Sequence, residues 1–287
     1  MKIVLTGYKG FIASHYYDYL KNDHEVYTYD LLDGHDLKDK AVTKNMPDCD
    51  VVIHMAATNG TRLFYETPTE VAFNNTLPTF NLIERYKNTN TKFVFTSTCE
   101  IFNGAVDNEL YPVPTDENVP VMFDNITNAR WSYSIPKALG ENLIANCGLN
   151  WLVIRYFNVY GPRQKDHFIS EFVERVKNRE YYINGNDTRS FCYINDAITM
   201  THQLVESANN QIINVGRQEE IQIEDVAKCI LDIMGVDPSK LVINHGPEGS
   251  AKRRCPDTTL VQELTGFKNY TSLQEGLAKT IKELIWK

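Results

Sequence analysis

The apolar and polar positions of the chain alternate between two periods. Short unbroken apolar runs, such as Ile3–Val4–Leu5, Val51–Val52–Ile53 and Phe93–Val94–Phe95, have the pattern of strands buried on both faces. Between them lie stretches with an apolar residue every three or four positions, the period of an amphipathic helix. The pattern predicts strands at Lys2–Thr6, Glu25–Tyr29, Asp50–His54, Lys92–Thr96, Trp151–Tyr156 and Gln211–Val215. It predicts helices at Phe11–Lys21, Thr69–Lys87, Pro136–Ala145, His167–Asn178, Ile223–Met234 and Leu273–Ile285. Such alternation argues for an α/β chain built on a doubly wound parallel sheet. From about Gly161 the pattern loosens. A division is therefore expected between residues 1–160, which carry the sheet, and a smaller C-terminal α/β substrate-binding part, 161–287. Segments near 190–220 would return to the first part. Tyr111–Pro120 reads as a surface loop.

The 287 residues are 43% hydrophobic, enough for one large domain or two modest ones. A net charge of −8 weighs against nucleic acid or an anionic membrane as the partner. An anionic substrate then has to be met by individually placed Arg or Lys. No apolar run approaches the ~20 residues of a membrane helix. The chain enters its first strand without a basic and apolar leader, so no signal peptide is expected. The six cysteines lie far apart with no CxxC pair, which fits reduced thiols in a cytoplasmic protein. The seven histidines have no metal-ligand spacing, and no metal site is expected.

Candidate chemistry begins behind the first strand, at Thr6–Gly7–Tyr8–Lys9–Gly10. A sharp strand-to-helix turn needs a residue that tolerates positive φ, and a bound phosphate needs backbone with no side chain in the way. The helix N-terminus that follows offers free N–H groups to an anion. Asp30 ends the second predicted strand about 20 residues past Gly10, where an acid takes the ribose hydroxyls of a dinucleotide. An acid there repels a 2′-phosphate and no Arg follows it, so NAD is expected rather than NADP.

Several motifs, in order, resemble those of the extended short-chain dehydrogenase/reductases, the NAD-dependent nucleotide-sugar epimerases and dehydratases. Thr6–Ser14 is similar to their TGxxGFIGS loop, with Ala13 for the third glycine. His54–Met55–Ala56–Ala57 resembles their HxAA segment, and Tyr133–Ser134–Ile135–Pro136–Lys137 their YxxxK. Arg155–Arg163 is close to RxFNVYGPR, and Arg189–Asp196 to RxFxYVxD. Arg254–Cys255–Pro256–Asp257 completes the series. The resemblance implies a Rossmann cofactor domain and a nucleotide diphosphate sugar as substrate. It implies a homodimer formed through the helices around Thr79–Lys87 and Lys137–Cys147.

The same resemblance implies site roles. Gly7, Tyr8, Lys9, Gly10, Phe11 and Ile12 would form the phosphate turn, with Asp30 on the ribose. Asp36 and Leu37 would meet the adenine, and Met55, Ala56, Ala57 and Asn75 would line the cofactor. Tyr133 would take the proton of a sugar hydroxyl, with Thr98 bonded to that hydroxyl and Lys137 holding the nicotinamide ribose. Tyr133 and Lys137 are four apart and share a helix face. A free phenol titrates near pH 10, so a neighbouring ammonium and the nicotinamide charge are expected to favour the phenolate. Pro136 implies that this helix begins close to Tyr133, because proline is tolerated only in a first turn. Glu100 falls where a base reaches carbon 5 of the sugar. Cys99 stands where some dehydratases carry an acid. Asn158, Arg163, Arg189 and Arg254 are the candidate substrate contacts, Arg163 and Arg189 for the diphosphate and Arg254 as a proton donor or diphosphate contact. The reaction is open among dehydration, decarboxylation of a uronic acid and simple 4-epimerisation. A non-catalytic NAD-binding protein is the rival from another class.

Overall fold

The computed structural model describes residues 1–246 and 252–285. From the N-terminus, β1 (Lys2–Thr6) leads into α1 (Phe11–Leu20), β2 (Glu25–Tyr29), α2 (Lys40–Lys44) and β3 (Val51–His54). Next come α3 (Thr61–Glu66), α4 (Pro68–Tyr86), β4 (Lys92–Thr98), α5 (Asn103–Asp107), α6 (Trp131–Ala145) and β5 (Asn150–Tyr156). The chain continues through β6 (Val159–Tyr160), α7 (Phe168–Lys177), β7 (Tyr182–Asn184), β8 (Thr188–Arg189), β9 (Cys192–Tyr193), α8 (Ile194–Ser207) and β10 (Gln211–Val215). It closes with β11 (Ile221–Gln222), α9 (Ile223–Ile233), β12 (Val242–Asn244), α10 (Thr259–Thr265) and α11 (Leu273–Ile285).

Six strands pair in parallel in the order β2–β1–β3–β4–β5–β10. Their unbroken apolar runs follow from this: parallel strands are covered by helices on both faces. Alternate residues of each run go to opposite faces. Ile3, Leu5 and Val94 join Tyr16 and Leu20 of α1 and Leu204 of α8 in one core layer. Val4, Phe93 and Phe95 join Leu82 and Tyr86 of α4 and Ile144 of α6 in the other. Full burial of each such side chain stabilises by about 1.5–3 kcal/mol. The sequence order reverses between β2–β1 and β1–β3, so a crevice opens at the carboxyl ends of β1 and β3.

Two stretches depart from the sequence reading. Helix α6 begins at Trp131, and Pro136 therefore lies inside it, beyond the first turn. The missing backbone donor is tolerated because Trp131, Tyr133, Ser134 and Pro136 are all buried there. Packing outweighs a local cost of about 3 kcal/mol. Helix α8 was not anticipated, although Ile194, Ala197, Ile198, Thr201, Leu204 and Val205 have helical spacing and are buried. Outside the main sheet the chain forms small pairs, β8 with β11, β7 with β12 and β6 with β9. One extended segment, 252–257, straps this part to the loop before α6. Ser190 N–H donates to the Arg254 carbonyl at 2.7 Å, and Thr115 N–H to the Cys255 carbonyl at 2.9 Å. Among the described residues, no helix is long and apolar enough to cross a membrane.

Candidate active site

The crevice at β1 and β3 is a cleft of about 310 Å³ lined by Gly7, Lys9, Gly10, Asp30, Asp36, Leu37, Met55, Ala56 and Ala57, among others. Gly7 has φ +72°, and a Cβ there would lie 2.6 Å from the Ala56 Cα, so only glycine fits between the two loops. Gly10 caps α1 without a side-chain bond, which leaves the first-turn N–H groups of Phe11 and Ile12 to an anion. Their side chains pack into the core behind the loop. The Asp30 carboxylate ends β2 and accepts from the Lys9 N–H at 3.0 Å and the Leu32 N–H at 2.9 Å. Tyr8 turns away and donates to Asp33 at 2.7 Å, and Lys9 pairs with the same carboxylate. Asn75 is buried: its amide donates to the Thr58 and Val71 carbonyls at 2.9 and 2.8 Å and accepts from the Thr58 N–H at 3.1 Å. It pins the loop after β3 and supports the cofactor wall from behind. These features suit a dinucleotide: a phosphate turn that a Cβ would fill, an uncapped helix end and an acid at the strand tip.

Tyr133, Lys137 and Thr98 meet beyond this cleft, where α6 crosses the end of β4. Tyr133 is buried, and its ring stacks on Phe64 of α3 with centroids 5.1 Å apart. Lys137 donates to the Thr96 carbonyl at 2.8 Å and lies 4.7 Å above the Phe95 ring. Burial, then the Glu100 charge, pushes Tyr133 above its ordinary value, while a hydrogen bond from Thr98 acts the other way. Burial also pushes Lys137 down to about 7, so its positive charge is partial at neutral pH.

Around Glu100 the fold gathers charges from distant segments. Arg254 on the strap approaches Glu100 Oε1 at 2.7 Å, and Arg130, just ahead of α6, approaches Oε2 at 3.2 Å. Asn103 donates to Oε2 at 2.8 Å. Burial alone would raise the Glu100 carboxyl, but Arg254 and Arg130 hold it below the ordinary carboxylate range. Arg189 is near enough to Arg254 that burial, then this second guanidinium, lowers it to about 10. Asp107 accepts from the Lys252 N–H at 2.9 Å, and burial raises its carboxyl against the pull of Arg254, Arg130 and Arg189. Asn158 follows β5 with φ +37°, and its buried side-chain amide nitrogen has no partner among the described residues. Arg163 is not brought here: it pairs with Asp18 of α1 at 2.7 Å and is 41% exposed. Asp107 was not singled out in the sequence, and Arg130 was given no role there. Arg130 stands three residues before Tyr133, which was a readable signal, whereas Asp107 had none.

Residues 3–216 match the model of the NAD dependent epimerase/dehydratase family. The chain belongs to that family. As a family member it is an enzyme with NAD as its cofactor. The epimerase/dehydratase is 30% identical to a UDP-N-acetyl-alpha-D-glucosaminuronate decarboxylase of Bacillus cytotoxicus, over 98% of this chain and 97% of the relative. It is also 30% identical to a putative UDP-glucose 4-epimerase of Methanocaldococcus jannaschii, over 97% of both chains. It superposes with a TM-score of 0.86 on a UDP-glucuronic acid 4-epimerase variant of Bacillus cereus in complex with UDP-4-deoxy-4-fluoro-glucuronic acid and NAD. That match has 25% identity and covers 99% of both chains.

Proposed function

We propose that the enzyme decarboxylates a UDP-linked uronic acid through a 4-keto sugar. The observation that carries this reading is the ion-paired state of Glu100 among Arg130, Arg189 and Arg254. The three family reactions differ in what they ask of carbon 5. Elimination of water needs a base for its proton, and a carboxylate held low by two guanidiniums is a weak base. Epimerisation at carbon 4 asks for nothing there. Decarboxylation needs no base either, but it needs the sugar carboxylate to be held. Arg130, Arg189 and Arg254 face Glu100, Asp107 and Asp187, so the charges balance, and a sugar carboxylate would be held by the two-pronged fit of a guanidinium to a carboxylate.

NAD, when bound, supplies the acceptor and later the donor of a hydride. The residues do the rest. Tyr133 takes and returns the proton of the carbon 4 hydroxyl, with Thr98 orienting it. Once carbon 4 is a ketone, the carboxylate at carbon 6 belongs to a β-keto acid. The bond between carbons 5 and 6 breaks, carbon dioxide leaves, and the electron pair moves to the enolate oxygen. A proton drawn from solvent then takes the place of carbon dioxide on carbon 5, and the enolate oxygen becomes the ketone again. Residues 1–160 hold NAD in this reading, and 161–287 the substrate, with α8 and β10 returning to the sheet. Phe73 and Phe80 on α4 and Leu139 on α6 are exposed apolar residues, and we take them as the contact face of a homodimer.

The test is incubation of the protein and NAD with UDP-glucuronic acid, its 2-acetamido counterpart and UDP-glucose, followed by mass analysis. Loss of carbon dioxide from a uronic acid is expected. A product of unchanged mass supports the second reading, 4-epimerisation, which the engagement of both Glu100 oxygens also favours. Loss of water overturns both.

A further inference from the structure

Behind Lys137 lies a buried ion pair that the chemistry above does not use. Glu141 follows Lys137 by one turn on the same face of α6. Its carboxylate is clamped at both oxygens by Arg155 of β5, from Nε at 3.0 Å and Nη2 at 2.7 Å. Arg155 is itself fixed. Its Nη1 donates to the Glu117 carbonyl at 2.9 Å, and its guanidinium lies 4.8 Å over the Phe102 ring. Glu141 and Arg155 are only 5% and 3% exposed. Apolar residues would fill such a space at no loss of stability, and often at a gain. A polar row, Tyr133–Lys137–Glu141–Arg155, thus runs from the reacting end of α6 into the core.

We propose that Glu141 and Arg155 are a positioning pair that keeps Lys137 charged and in place. This rests on the reading of Lys137 as an acting residue. Lys137 has lost its water, and its ammonium has one carbonyl partner, Thr96. A fixed carboxylate one turn away offsets part of that loss, and Arg155 keeps the carboxylate from swinging onto the ammonium and closing it off. The other neighbours offer no such support. Tyr133 faces Lys137 from α6, while β4 presents the Thr96 carbonyl and the Phe95 ring. His54 of β3 is driven down to about 3 by burial and then by Lys137, so it is neutral. Helix α4 reaches this point through Thr79, bonded to His54 at 3.1 Å. Glu141 is the charge that works against the fall of Lys137 caused by burial.

The experiment is an NMR titration of the full chain carrying ¹³C-lysine, with the Lys137 Cε signal assigned by its loss in Lys137→Met. The wild-type midpoint is expected near 7. In Glu141→Gln it should fall by about one unit, a tenfold loss in proton affinity. Removing one partner of a buried pair endangers the fold, so Glu141→Met/Arg155→Met is measured as well, and it should show the same fall while melting near the wild type. An unchanged Lys137 midpoint in either folded variant overturns the proposal, because a merely structural pair would move the melting temperature alone. No substrate is needed, so failure of the decarboxylase reading would leave this result standing.

Discussion

The cofactor cleft and the Glu100 cluster open along the same edge of one sheet, yet they are made of different material. The cleft is mostly backbone. Its turn comes from the consecutive residues Gly7–Ile12, and its candidate anion site is the uncapped start of α1. The cluster is mostly charged side chains drawn from Glu100, Arg130, Arg189 and Arg254, and its bond from Arg254 to Asn103 joins residues 151 positions apart. The contrast teaches where each region is fragile. A backbone site tolerates changes of side chain and fails when a Cβ appears. A side-chain site fails when one functional group is lost, even where the backbone is untouched.

The largest expected effect tests the side-chain half. Tyr133→Phe keeps the ring stacked on Phe64 and removes only the hydroxyl. Turnover should fall by about 10²–10⁴, the scale of losing an acid–base group, with NAD affinity from calorimetry nearly unchanged. A near-normal rate would place the proton transfer on another group. Next in size is Gly7→Ala in the backbone half. The new Cβ would lie 2.6 Å from the Ala56 Cα at φ +72°. A cost of about 1–3 kcal/mol is expected, read as a lower denaturation midpoint and weaker NAD binding. Lys9→Ala, which alters only an exposed side chain in the same turn, should leave both nearly intact. If the two variants behave alike, the backbone account of the cleft is wrong.

The smallest effect is a pH dependence. The folded Glu100 carboxyl lies below its ordinary value of 4.5, since Arg254 and Arg130 outweigh burial. Such a group contributes stability that is present above 4.5 and lost as pH falls through the lower, folded value. Between pH 5 and the acid transition, the wild type should therefore lose denaturation midpoint faster than Glu100→Gln. Parallel curves would mean that the ion pairs add nothing to the native state. They would also remove the basis for calling Glu100 a weak base.

Legibility followed the same divide. The phosphate turn, Asp30 and the strands of the sheet were readable because they rest on short local rules: an apolar run, a glycine at positive φ, an acid at a strand end. Tyr133 and Lys137 were readable because helical spacing alone places them on one face. Helix α8 was not anticipated, although its buried residues keep the helical period. The start of α6 was readable to within two residues of Tyr133, but the place of Pro136 beyond the first turn was not, because the burial of Trp131 and Tyr133 overrides its local preference. The surroundings of Arg163 were not readable either. Its segment resembles a diphosphate contact, but the loop after β5 turns it toward Asp18.

By itself the sequence determined the order of strands and helices, the doubly wound sheet and the parts of the cofactor turn. Local sterics and hydrophobic period set each of these within a few residues of chain. Only the tertiary structure decided how the charges are paired. The strap at 252–257 brings Arg254 onto Glu100, the lead-in to α6 brings Arg130, and β5 sets Arg155 against Glu141 behind Lys137. Coulomb energy and desolvation depend on distances and burial in space, and the order of residues along the chain does not encode them. For that reason the ionisation of Glu100, Lys137 and Tyr133, and with it the choice among the family's reactions, became arguable only once the chain was folded.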